Sequence, residues 1–156
     1  MKADDDSAHV TFPPPFVYLG FLLIGLAADR LIGQLLSLPP LTRGVLVIAL
    51  IVPGAGLLLA ASGLFRRAGT DVKPWKTATA LVDSGVYRFT RNPMYLGMAL
   101  LYAGLAFAFE SVGAWLFLPV VIIVIQTQVI AREERYLEAK FGEAYRDYKL
   151  RVRRWF

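Results

Sequence analysis

Residues 44–65 read GVLVIALIVPGAGLLLAASGLF, 22 consecutive positions without a charge. A helix needs about 20 such residues to cross the hydrocarbon core of a bilayer, so this run is long enough to span one. Pro53 predicts a kink in it. Gly54, Gly56, Ala60, Ala61 and Gly63 predict close packing against a neighbour, because helix association in lipid depends on small residues that let backbones approach. The flanks agree with this reading: Pro39-Pro40 precede the run and Arg66-Arg67 follow it.

Further apolar runs lie on either side. Residues 16–38 form a first span, interrupted by Asp29 and Arg30. Adjacent helix positions diverge by about 100°, so these two do not simply pair with each other. They either reach other helices or an interface, or they line a polar pathway. Residues 93–109 and 112–130 form a third and a fourth span, joined so tightly at Glu110-Ser111 that they make an antiparallel hairpin. Residues 1–15, with Asp4-Asp5-Asp6 and Pro13-Pro14-Pro15, read as a disordered cytoplasmic tail. Residues 66–92 form a polar loop, long for a mere connector, and residues 131–156 form a charged C-terminal segment with an amphipathic helix. The expected architecture is an all-α integral membrane protein with about four spans and one domain over residues 16–156. Composition supports it, with 56% hydrophobic residues and a mean hydropathy of +0.52.

The formal net charge is +5. The basic residues cluster beside apolar runs, as cytoplasmic membrane flanks do, which argues against nucleic acid as a partner. Arg66, Arg67, Lys73, Lys76, Arg88 and Arg91 fall in the central loop, and eight more Lys and Arg follow residue 130, while the opposite connections carry only Arg43. This bias predicts that the loop and both termini are cytoplasmic; the expected location is a bacterial inner membrane. The chain has no cysteine, and its single histidine, His9, lies in the polar tail. Thiolate and histidine chemistry, and a metal centre, are therefore not expected.

Two segments carry chemistry. In Arg91-Asn92-Pro93-Met94-Tyr95-Leu96-Gly97, Asn92 suits a helix N-cap and Pro93 the first helical turn. The free N–H groups there, beside Arg91, would favour an anion such as a carboxylate; an arginine anchor on an ordinary capped helix is the plainer reading. Gly97 removes a side chain one turn in, which would let a flat ligand approach. On a helix over residues 131–150, Leu137, Phe141, Tyr145 and Tyr148 share one face, Glu134 falls near its middle and Glu133 near its edge. A carboxylate on such a face needs a positive partner, either Arg91 or a cationic ligand.

Gly69-Thr70, Pro74, Leu81-Val82-Asp83-Ser84-Gly85-Val86-Tyr87, the Arg91–Gly97 segment, Glu133-Glu134, Phe141-Gly142-Glu143-Ala144-Tyr145, Tyr148 and Arg151-Val152 occur in this order. That ordered set resembles the isoprenylcysteine carboxyl methyltransferase and phospholipid methyltransferase superfamily, from Gly69 to the C-terminus. The resemblance implies S-adenosylmethionine as methyl donor, in a cytoplasm-facing pocket closed by the tail. It implies cofactor contacts from Arg91, Asn92, Pro93, Tyr95, Gly97, Glu133, Glu134, Tyr145 and Tyr148. It also implies that Arg91 and Arg151 hold a substrate carboxylate near the donor, with Glu134 as a third catalytic position. The departure is Asn92, where eukaryotic relatives carry His; Asn hydrogen-bonds but does not titrate.

A site offering arginines, tyrosines and two glutamates leans towards O- or S-methylation of an anionic, lipophilic acceptor, with arginine as the clamp. The alternatives are a phospholipid N-methyltransferase, in which a glutamate of raised pKa deprotonates the amine, a sterol-reductase-like NADPH enzyme, and a small multidrug-type transporter using Asp29.

Overall fold

The computed structural model describes residues 4–10, 12–33 and 35–155, and its regular structure is helical throughout. Helix α1 spans Pro14–Ile32, α2 Pro40–Arg67, α3 Pro93–Ala108, α4 Val112–Ile125, α5 Ala131–Phe141 and α6 Glu143–Arg151. A proline in the first turn opens α1, α2 and α3, where no backbone donor is lost. Arg66 and Arg67 close α2 on the negative end of its dipole.

α2 packs along α3, α1 along α4, and α3 beside α4 completes the bundle. Both major contacts are backbone-close. A Cβ on Gly54 would sit 2.9 Å from the Gly97 carbonyl, and one on Gly97 would sit 2.8 Å from the Gly54 carbonyl. A Cβ on Gly25 would lie 2.5 Å from the Ala114 nitrogen, and one on Gly113 would lie 2.2 Å from the Gly25 carbonyl. Of the small residues expected to pack in α2, Gly54 and Ala61, seven positions apart on one face, are buried. Gly56 and Gly63 have open space where a Cβ would go.

Three helices are long and apolar enough to cross a membrane: α1, α2 and the continuous helix Val112–Phe141. The fourth apolar helix, α3, has 16 residues, roughly 24 Å at 1.5 Å per residue. The sequence predicts a fourth span separate from a tail helix; in the structure they are one rod. A π-turn at Gln126–Ile130 joins α4 to α5 without a break. One extra residue in a turn rotates the following helix by about 100°. That keeps Val129, Ile130 and then Glu134 facing the bundle. The apolar stretch of this rod ends at Ile130, before Arg132, Glu133, Glu134 and Arg135, and we place the end of the span there.

The expected single helix over residues 131–150 is instead two. Gly142 adopts φ +54, ψ −122, a conformation open to glycine, and turns the chain between α5 and α6. Tyr145 and Tyr148 therefore pack back on Val82, Tyr87 and Ala61, and the Tyr148 hydroxyl donates to the Tyr87 carbonyl at 2.7 Å.

On the opposite end of the bundle Asp29 has a structural task. Its Oδ1 accepts from the Gly113 backbone N–H at 2.8 Å, beside the Ser111 hydroxyl that caps α4 through Ala114 N–H. Glu110 accepts from Leu38 N–H at 2.7 Å and pairs with Arg43 at 3.2 Å. Arg30 is exposed in the last turn of α1. The segment expected to be a disordered tail makes specific contacts over its described residues 4–10, with Val10 only 2% exposed.

Candidate active site

A cleft with a cavity volume of ≈ 110 Å³, continuous with solvent, opens where the central loop, the start of α3 and helices α5 and α6 converge. Each wall is positioned by a local feature. Pro93, fully buried at the head of α3, sets where that helix begins. The three residues before it are stitched to the C-terminal segment. Thr90 Oγ1 and Asn92 Nδ2 donate to the Arg154 carbonyl at 3.1 and 2.9 Å, and Arg91 N–H donates to the Arg153 carbonyl at 3.0 Å. Asn92 thus occupies the N-cap position without capping: its side chain holds the tail, and the Thr90 hydroxyl accepts its N–H.

The Arg91 side chain is 10% exposed, with Nη2 3.3 Å from Glu134 Oε1. Its Nε and Nη1 are buried and make no hydrogen bond of good geometry, the Tyr145 hydroxyl being the polar group that comes near the guanidinium. Leaving such donors unsatisfied costs about 1–3 kcal/mol each, so the site is poised for an anion or acceptor oxygen. Arg154 takes the rest of Glu134 with a two-pronged contact, Nε to Oε1 at 3.0 Å and Nη2 to Oε2 at 2.6 Å. Glu133 is different. It accepts from the Tyr95 hydroxyl at 2.7 Å and forms no ion pair among the described residues. Burial pushes its carboxyl up to about 7; the Tyr95 hydrogen bond opposes this and the Glu134 charge adds to it. Burial also raises the Tyr145 and Tyr148 hydroxyls above their ordinary range, against the Arg91 charge nearby, so both remain donors. Phe65, Leu81, Val82, Tyr87 and Met94 supply an apolar wall.

Arg91, Asn92, Tyr95, Glu133, Glu134, Tyr145 and Tyr148 all line this cleft. Three residues expected there do not. Pro93 lies beneath it as the start of α3. Gly97 faces α2, with Gly54 and Leu58 where a ligand was expected; its missing side chain serves helix packing. Arg151 points outward, exposed, 3.6 Å from Asp83 and hydrogen-bonded to its own helix at Asp147. Glu134 meets Arg91, one of the partners the sequence offers for it, and is gripped more closely by Arg154, which the sequence reading did not single out. α6 ends at Arg151 and Val152 is extended (φ −124, ψ 130), so helical spacing stops predicting direction just before it. The apolar wall was visible only as pieces of the motif order.

The sequence profile of the phospholipid methyltransferase family matches residues 42–144. An uncharacterised protein of Haemophilus influenzae is 47% identical over 62 residues, which is 40% of this chain and 98% of that protein. The protein-S-isoprenylcysteine O-methyltransferase of Schizosaccharomyces pombe is 31% identical over 72 residues, 46% of this chain and 30% of the yeast protein. The chain therefore spans less than a third of that enzyme's length. No solved structure matches the chain significantly.

Proposed function

The chain belongs to the phospholipid methyltransferase family, and from that premise we propose that it transfers a methyl group from S-adenosylmethionine to a lipophilic acceptor with an anionic head. The cleft and both termini face the cytoplasm in this reading, as the Lys and Arg distribution suggests, in a bacterial inner membrane.

The observation that carries the reading is the pairing of opposite vacancies in one cleft. Arg91 presents two buried donors without acceptors, and Glu133 presents a carboxyl without a cation. The residues fit the methyl donor: a carboxylate suits Arg91, a cationic group suits Glu133, and the apolar wall with Tyr87 and Tyr148 suits a flat ring. When bound, S-adenosylmethionine supplies an electrophilic methyl group. The protein's part is to align the acceptor in line with it and to exclude water. Arg91 is the clamp for an anionic group; Arg154 holds Glu134 and so keeps that carboxylate from capturing all of Arg91. Tyr95 and the rod from α4 to α5 bring the apolar bundle to the edge of the cleft, so an acceptor's tail can stay in lipid while its head enters.

A second reading, N-methylation of a phospholipid amine, is favoured by one observation: Glu133 has a raised pKa and a hydrogen-bonded Tyr95 beside it. An amine must lose a proton before or during transfer, and a carboxyl near neutrality can take it. A transporter reading loses support, because Asp29 is engaged at the end of α1.

The test uses purified protein in detergent. S-adenosylmethionine should bind and NADPH should not; the reverse would discard the methyltransferase reading for a reductase. Transfer should then favour a prenylated thioacid or a fatty acid over phosphatidylethanolamine. Preference for phosphatidylethanolamine would replace the anionic acceptor by the amine and assign Glu133 as the base.

A further inference from the structure

The residues that precede α1 cross the open mouth of the cleft and touch both of its walls. Asp4 sits on the loop wall: its carboxylate accepts from Lys76 Nζ and from Thr77 N–H, each at 3.1 Å, and its own N–H donates to the Trp75 carbonyl at 3.0 Å. Asp6 reaches the helix wall. Its carboxylate pairs with Lys140 of α5, and its carbonyl accepts from Tyr136 Oη at 3.2 Å and Thr77 Oγ1 at 2.9 Å. Arg132 donates to the His9 carbonyl at 3.3 Å. Tyr136 joins the two walls, since its hydroxyl also accepts from Ala78 N–H at 3.0 Å. Ser7, Ala8 and Val10 within the crossing are buried, and Ala8 lines the cleft itself together with Ala78 and Tyr136.

We propose that residues 4–10 form a removable strap that closes the water-facing mouth of the cleft over its ligand, latched by Asp4–Lys76 on the loop wall and by Asp6–Lys140 on α5. The latches are suited to opening. Lys76 and Asp4 keep 39% and 37% of their side-chain exposure, and Lys140 and Asp6 keep 23% and 60%. Partly exposed ion pairs contribute little and are screened by salt. The apolar grip consists of small side chains, Ala8 and Val10. Opening withdraws Ala8 and Val10 from the core they share with Tyr18, Leu22, Tyr95 and Ile130 and uncovers the cleft, while the close helix–helix contacts at Gly54–Gly97 and Gly25–Gly113 are made by other residues. A ligand arriving from water must pass the strap; an acceptor arriving from lipid need not. The identity of that water-borne ligand rests on the methyl-donor reading above; the strap itself does not.

Ala78 contributes only its backbone N–H to these contacts, and the chain has no cysteine. In full-length Ala78→Cys protein, the rate of modification by a small charged thiol reagent reports opening directly. Adding Asp4→Lys and Asp6→Lys sets like charges across both latches and should raise that rate at least tenfold. Adding Lys76→Asp and Lys140→Asp as well restores opposite charges and should bring it back within about threefold of the parent. An unchanged rate, or a rise that the charge swap does not reverse, overturns the strap. The same variants, tested with radiolabelled S-adenosylmethionine, should bind and release it faster by similar factors, so that the Kd moves little. Faster labelling with unchanged exchange of bound S-adenosylmethionine overturns the strap as a gate. Faster, swap-reversible labelling in protein that never binds S-adenosylmethionine upholds the strap and overturns the methyl-donor reading instead.

Discussion

Arg154 grips both oxygens of Glu134, at 3.0 and 2.6 Å, and so leaves Arg91 only a single 3.3 Å contact to the same carboxylate. Glu134 is 8% exposed and sits between two guanidinium groups, whereas the neighbouring Glu133 has none. The two adjacent glutamates thus have separate tasks: Glu134 is a structural counter-charge that sets where Arg91 lies, and Glu133 is the carboxyl left facing the cleft.

Glu134→Ala should destabilise the protein more than Arg154→Ala, because it leaves two arginines without their carboxylate, whereas Arg154→Ala leaves Glu134 its contact to Arg91. Removing a charge-assisted partner costs about 1.5–3 kcal/mol, and the Arg154 variant should fall at or below the low end, since its side chain is 36% exposed. Thermal unfolding in detergent compares them. A larger loss for Arg154→Ala would mean that Arg154 does more than hold Glu134.

Glu133 should make the protein's stability depend on pH. Its folded pKa of about 7 lies above the ordinary value of 4.5, so the folded state holds a proton that the unfolded chain has released. Stability should be highest near or below pH 4.5 as far as this group is concerned. It should fall between about 4.5 and 7, and level off above, by an amount on the order of 1–3 kcal/mol. Melting temperatures of the parent and of Glu133→Gln between pH 5 and 8 check this. The parent should lose stability relative to the variant as pH rises, and parallel curves would remove the assignment.

Arg91→Ala should lower S-adenosylmethionine affinity or turnover by at least tenfold, since it deletes the only buried, unpartnered guanidinium donors lining the cleft among the described residues. Arg151→Ala should change either by less than about twofold, as expected of an exposed ion pair worth ~0–1 kcal/mol. Loss of turnover in the Arg151 variant alone would restore that residue to the site.

Gly97→Ala should cost about 1–3 kcal/mol by overpacking the α2–α3 contact, where the new Cβ would meet the Gly54 carbonyl at 2.8 Å. Gly56→Ala, which meets nothing within 4 Å, serves as the control. If Gly97→Ala keeps the parent's melting temperature yet loses ligand binding, the glycine belongs to the cleft after all.

Topology is checked at Thr79, exposed on the central loop. Thr79→Cys in this cysteine-free chain should react with an impermeant thiol reagent only from the cytoplasmic side of membrane vesicles. Reaction from the other side would invert the orientation and the access argued for the cleft.

Much of the architecture was legible in the sequence because lipid leaves few choices. A backbone in hydrocarbon must satisfy its own hydrogen bonds, so an apolar run of sufficient length becomes a helix whatever its neighbours do. Residues 44–65 and the flanking runs could be read one at a time for that reason. Glu134 was legible too: the aromatic positions around it repeat at helical spacing, and a carboxylate on their face requires a cation wherever that cation comes from. Gly97 was not, because an absent side chain makes room equally for a ligand or for a neighbouring helix, and only the position of Gly54 decides between them.

Hydropathy, charge bias and motif order are properties of the chain read in one direction, and they determined the helical membrane fold, the family and most of the residues around the cleft. The choice of Arg154 over Arg151, the division of labour between Glu133 and Glu134, and the crossing of the cleft by residues 4–10 were decided by tertiary structure. Each depends on where an irregular segment travels after a helix ends or before one begins. Thr90 and Arg154 are 64 residues apart, and Asp6 and Lys140 are 134 apart. No local periodicity spans such distances; the packed helices bring the segments together, and charge and hydrogen bonding then select the partners.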